Sequence, residues 1–144
     1  MPNYVKQHDN YSCGPVAIIN LCKWAGKNVS YKNDFAKITK MCKCKSPNGT
    51  FPENFNKCLR KCLKKCTKIQ EVIKPSMKQI NKHLLCNQAL VLRYEVKPLH
   101  NHFILIVPSN GKTFTCINDG DKIIKKYSKT IRQMKKIDAW FLIK

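Results

Sequence analysis

Helices first and a mostly antiparallel sheet after them, an α+β fold, is what this sequence predicts, from three observations. Apolar residues recur at helical spacing between residues 13 and 84. From Ala89 onward the chain turns to β-rich runs, Ala89 to Val96 and the unbroken apolar Phe103 to Val107. Between Val107 and Thr113, Asn110-Gly111 predicts a hairpin turn. Helices segregated from strands in this way argue for α+β rather than alternating α/β.

Each element has a local reason. Pro15 to Trp24 is an apolar helix that Gly26 ends. Ser30 caps a second helix with Phe35, Ile38 and Met41 or Cys42 on one face. Cys44 to Pro52, with Ser46-Pro47-Asn48-Gly49, reads as a loop. Glu53 to about Cys66 is a third helix, and Thr67 to Ile73 alternates as a strand. Pro75-Ser76 opens a short helix with Met77, Ile80 and Leu84 inward. Thr113 to Asn118 completes the hairpin, a short helix spans Lys129 to Met134, and Ala139 to Ile143 is a final strand.

With 144 residues, 43% of them apolar, the chain supports one core, and residues 1–144 read as a single domain. Lys+Arg outnumber Asp+Glu by 28 to 8, a formal net charge of +20. That excess predicts non-specific, salt-sensitive contact with polyanions. The lysines spread along the whole chain and no nucleic-acid-binding motif accompanies them, so charge alone does not name a function. Met1 to Lys6 lacks the apolar core of a secretory signal, and no apolar run is long enough to span a bilayer. A cytoplasmic, reduced protein without a membrane segment is the expectation.

The nine cysteines cannot all pair within one chain, which leaves at least one free thiol. Cys58, Cys62 and Cys66 are four apart on a predicted helix, so they stack along one face. They can share a metal only with Cys42 or Cys44, and no clean pair of close cysteine pairs occurs. Small core residues are the first reading, disulfides the second in an oxidising compartment, and zinc the third. No metal or cofactor is expected. Cys22 and Cys116 read as packing residues.

The chemistry centres on Gln7-His8-Asp9-Asn10-Tyr11-Ser12-Cys13-Gly14-Pro15. A thiol at a helix start meets outward N–H groups and the positive end of the dipole, which predicts a lowered pKa. Gln7 can donate a side-chain N–H to a developing oxyanion. His102 precedes the buried strand and Asp119 follows the hairpin's second strand, so an antiparallel pairing brings the two together. These are the parts of a thiol acyl-transfer site. His100 competes with His102 as base; Asp121 and Asn118 compete with Asp119 as its orienting partner. His8 and His83 read as surface residues. The plainer alternative is that Cys13 is a small buried residue before a turn.

Gln7, Ser12-Cys13-Gly14-Pro15, Asn101-His102-Phe103-Ile104-Leu105-Ile106 and Ile117-Asn118-Asp119 occur in the order of the bacteriocin-processing, double-glycine peptidases. The chain resembles that family of papain-like cysteine proteases over nearly its whole length. It departs at Asn101, where the family has glycine, at Gly120, where it has proline, and in the Cys- and Lys-rich residues 41–66. The resemblance implies a papain-like fold and hydrolysis of a protein or peptide substrate. Cys13 would be the nucleophile, His102 the base, Asp119 its orienting group, and Gln7 with the Cys13 N–H the oxyanion hole. Two other functions fit the chain: a thiol acyltransferase or amidase on the same scaffold, and an inactive basic protein binding nucleic acid or an acidic partner.

Overall fold

Helix α1 (Cys13–Trp24) is buried from Cys13 through Cys22, so it runs through the interior rather than along the surface. Its C-terminus closes as a Schellman turn. The N–H of Gly26, at φ +86°, donates to Lys23 O, and that of Lys27 donates to Cys22 O. Helix α2 (Tyr31–Met41) starts at Ser30, whose hydroxyl accepts the Asn33 N–H at 3.1 Å. Helix α3 spans Pro52–Leu63 and turns Phe55, Cys58, Leu59 and Leu63 inward. Helix α4 (Met77–Leu85) begins with a full capping box between Ser76 and Gln79. The computed structural model describes residues 2–63, 68–97, 100–109, 113–119, 122–126 and 135–143.

Among the described residues six strands form one antiparallel sheet: β1 (Lys68–Ile73), β2 (Leu90–Lys97), β3 (His100–Ser109), β4 (Thr113–Asp119), β5 (Lys122–Lys126) and β6 (Lys135–Ile143). Their spatial order is β1-β6-β2-β3-β4-β5, and every pairing is antiparallel. The central strands are covered on both faces. Val91, Phe103, Leu105 and Trp140 pack with α1 and α3. Their neighbours Leu92, Ile104, Ile106 and Phe141 pack with Ile80 and Leu84 of α4. Burial on both faces is why Phe103–Val107 is apolar throughout instead of alternating. Phe55 stacks on Phe103 at 4.3 Å and meets Trp140 edge-on at 4.6 Å, locking α3 to the sheet.

The predicted α+β fold is the observed one, and its elements differ from expectation at few places. Helix α1 starts two residues early, at Cys13 itself. It lies directly on β3, with Ala17, Ile18 and Leu21 in the same cluster as Leu105. Strand β5 went unpredicted, and β6 begins at Lys135, ahead of Ala139. Cys66, the Asn110-Gly111 turn and the expected helix at Lys129–Met134 lie outside the described residues. His8 is exposed, as expected. His83 is a correction: it is buried, its ring stacks on Phe141 at 4.7 Å, and its Nε2 lies 2.7 Å from Ala89 O. His83 lies beside Leu84 and three residues after Ile80, on the buried side of α4 that covers the sheet.

Burial pushes the His83 pKa below its usual 6.5 and the Tyr4 pKa up to about 12. A neutral imidazole held in the fold contributes stability above about pH 6.5, and this is lost as pH falls. A phenol held neutral contributes stability below about pH 10, and this is lost as pH rises toward 12. Urea midpoints measured across pH should therefore fall on both sides of neutrality. His83→Gln should flatten the acid limb, and Tyr4→Phe the alkaline one.

Candidate active site

Cys13 occupies the first turn of α1, at the positive end of the helix dipole. Ser12, the N-cap residue, makes no side-chain cap. Asp9 ties the turn just ahead of the helix: its Oδ1 accepts the N–H groups of Tyr11 at 3.0 Å and Ser12 at 2.7 Å, fixing the approach to Cys13. The Cys13 sulfur lies 3.9 Å from Asn101 O, and it also receives a backbone hydrogen bond from Phe103. It thus touches main chain on both sides of His102. The His102 ring lies edge-on to Tyr94 of β2, centroids 5.5 Å apart.

Asn101, which stands before His102, has a structural job of its own. Its Oδ1 accepts from Arg93 Nη1 at 2.6 Å, while Arg93 Nη2 forms an ion pair with Asp138 of β6. Three adjacent strands therefore hold the residue preceding the histidine. Asp119 is the last residue of β4 and pairs with Lys122 of β5. The last rung joining β3 and β4 toward this end is Leu105–Ile117. His102 lies three residues and Asp119 two residues beyond that rung, at the same end of the sheet.

Gln7 meets Asn118 of β4 from the N-terminal segment, which two buried amides anchor. Asn20 of α1 accepts the Val5 N–H at 2.8 Å and donates to Val5 O at 3.1 Å. Asn118 accepts the Gln7 N–H at 3.2 Å and donates through Nδ2 to Gln7 Oε1 at 2.9 Å. Asn118, weighed above as a partner for the histidine, uses both ends of its amide on Gln7. Asn20 and the role of Asn118 were not foreseen. The one visible signal was a polar residue inside the apolar helix Val16–Trp24.

The loop between α2 and α3 braces the turn before Cys13. A Cβ on Gly14 would stand 2.8 Å from Thr50 Oγ1, so a larger residue at 14 would force Thr50 to shift. Gly49, at φ +73°, packs against Tyr11 O, where a Cβ would come within 2.9 Å. Cys44 Sγ donates to the same Tyr11 carbonyl at 3.4 Å. The Cys-rich middle segment thereby acquires a function: it backs the turn that carries Cys13.

The electrostatics correct one expectation. Cys13 is only 5% exposed, and burial pushes its thiol up to about 11, with Cys44 adding a smaller increase. Hydrogen bonds from Phe103, Gly14 and its own N–H pull the other way without winning. Desolvation of a thiolate outweighs the dipole of a helix end when the sulfur is this deeply covered.

Four other cysteines form a chain of thiol contacts where α1, α2 and α3 meet. Cys58 bonds to Cys42 and to Cys62, and Cys62 bonds to Cys22. Cys22, Cys42 and Cys58 are buried, as is Cys116 on β4. Cys62, half-buried, accepts from Cys22 and Cys58 and lies near Lys27 and Lys37, which lowers its pKa. Among the described residues no three His, Cys, Asp or Glu side chains converge as a metal site would.

No protein-family model matches the chain, and no curated protein does. Solved structures do. The peptidase domain of Streptococcus ComA, a bifunctional ABC transporter of a quorum-sensing pathway, superposes with a TM-score of 0.71 at 19% identity, covering 97% of each chain. A double-glycine motif protease from an AMS/PCAT transporter, solved with its leader peptide, gives 0.70 at 16% identity, covering 100% of this chain and 93% of that one. The Streptococcus mutans ComA peptidase domain gives 0.56 at 16% identity, covering 96% and 97%.

Two measurements check the geometry. Alkylation with iodoacetamide at neutral pH, mapped by peptide, should label half-buried Cys62 and exposed Cys86 ahead of Cys13, and Cys22, Cys42 and Cys58 only on unfolding. Gly14→Ala should cost about 1–3 kcal/mol in denaturant unfolding. Thr50→Ala in the same chain should recover part of that loss.

Proposed function

We propose that this protein is a cysteine peptidase acting on peptide substrates through Cys13, His102, Asp119 and Gln7. One observation carries the reading. On a fold shared with double-glycine peptidase domains, the Cys13 sulfur sits at a helix N-terminus against the main chain flanking His102.

Burial sets the mechanism. A thiol held near 11 is protonated at neutral pH, so the resting site stores no thiolate. His102 then acts as general base within the attack, taking the proton as sulfur reaches the carbonyl carbon. The carbonyl electrons move onto oxygen, where the Gln7 side-chain N–H and the Cys13 backbone N–H stabilise the charge. The protonated His102 passes its proton to the leaving amine, and the thioester remains. Water, deprotonated by His102, hydrolyses it and restores the thiol. Asp119 holds the histidine in the tautomer these transfers need.

Peptides carrying a Gly-Gly segment are the first substrates to assay, by analogy with the leader-bound protease. Cys13→Ala should abolish hydrolysis with unchanged circular dichroism, and full activity in that variant would refute the mechanism. Gln7→Ala should lower kcat by about 10²–10³ fold. An unchanged kcat would remove Gln7 from the site.

A further inference from the structure

The bond pattern around Gln7 determines which end of its carboxamide is available to a substrate. A backbone N–H can only donate, so the Gln7 N–H requires an oxygen at the Asn118 atom it meets, 3.2 Å away. That makes the other end of the Asn118 amide its NH₂. An NH₂ can only donate, so the Gln7 atom 2.9 Å from it is Oε1. The Gln7 NH₂ is then the end turned away from Asn118. Orientation thus passes from a main-chain donor, which cannot invert, through two side-chain amides, which can.

Two further facts make Asn118 a fixed reference. It is 3% exposed, so water does not compete for its amide. Its φ is +64°, a left-handed conformation that Asn adopts at little cost and most residues do not. That kink interrupts the alternation of β4, whose Phe114 and Cys116 pack in the cluster on the α4 side. Side-chain direction at residue 118 therefore follows from the turn of the backbone, not from strand parity.

We propose that Asn118 is a positioning residue that holds the Gln7 carboxamide with its N–H end toward the oxyanion. The inference rests on the reading of Cys13 as nucleophile and Gln7 as oxyanion donor. Its chemical signature is a choice between reactions. Acylation of Cys13 by p-nitrophenyl acetate forms the S–C bond while the carbonyl electrons move onto oxygen; p-nitrophenolate then leaves and the thioester remains. Alkylation by iodoacetamide forms an S–C bond as iodide departs, and no oxyanion appears. Only the first reaction uses the Gln7 N–H.

Asn118→Asp separates the two. The carboxylate is an acceptor at both oxygens and tolerates the left-handed backbone. One oxygen keeps the bond from the Gln7 main chain, while the other repels Gln7 Oε1 and draws the NH₂ end over. The oxyanion position then faces a carbonyl oxygen instead of a donor. The Cys13 acylation rate, read by peptide mapping, should fall about 10²-fold or more, as on deleting an oxyanion donor. Cys13 alkylation should be unchanged. Asn118→Asp should add no further loss to Gln7→Ala, because both remove one contribution. Asn118→Gly, which keeps the backbone and frees the amide, should give a smaller loss and stands in if Asn118→Asp does not fold.

Wild-type acylation in both Asn118 variants overturns the proposal. So does an equal slowing of acylation and alkylation, which marks a structural role, or a full additive loss on Gln7→Ala. If wild-type Cys13 is never acylated, or Gln7→Ala acylates at the wild-type rate, the underlying reading fails with it.

Discussion

The packing of α1 against β3 is the constraint on which the rest of the structure depends. Val16, Ile18, Ile19 and Leu21 are fully buried, and each such side chain contributes roughly 1.5–3 kcal/mol when removed from water. A close-packed seam of this kind resists sliding, because a shift of one side chain opens voids along its length. Cys13 is the first residue of that helix, and His102 begins the apolar run of the strand beneath. Their juxtaposition is therefore a by-product of hydrophobic packing several residues away. Cys13 needs no local device to meet the strand that carries His102.

Apolar contacts cannot orient a planar amide, and here hydrogen bonds do so. Asn20 and Asn118 come from different elements, and both grip main chain of the same N-terminal segment, at Val5 and Gln7. Each is buried with its amide satisfied, the condition under which a polar group in a core stabilises a unique arrangement. A coil segment without regular structure thus acquires fixed coordinates from one helix and one strand. The same depth of burial that makes these bonds effective also raises the Cys13 thiol, so rigidity and a preformed thiolate are in opposition.

Much of the fold was legible because its signals are local. Ser30, Ser76 and Gly26 mark helix ends through bonds made within four residues, and each appears where expected. Strand β5, Lys-Ile-Ile-Lys-Lys, was not legible: two apolar residues among lysines carry no period, and only pairing with β4 makes them a strand. His83 was misplaced because a lone polar residue on a helix reads as exposed until the sheet face it covers is known. The thiol chain from Cys42 to Cys22 joins residues up to 40 positions apart on three helices, beyond the reach of any spacing rule.

By itself the sequence determined the class of fold, the order of its elements and the residue types available for chemistry, since periodicity, caps and reactive side chains are properties of short stretches. Tertiary structure decided which of those residues meet, how deeply they are covered and which way their amides point. Cys13 shows the division most clearly. Its neighbours in sequence place it at a helix start and predict a lowered pKa, while Cys44 and the surrounding core, brought in from elsewhere, bury it and raise that pKa against the opposing hydrogen bond from Phe103. Desolvation depends on everything that surrounds a group in space, and no local pattern of residues encodes it.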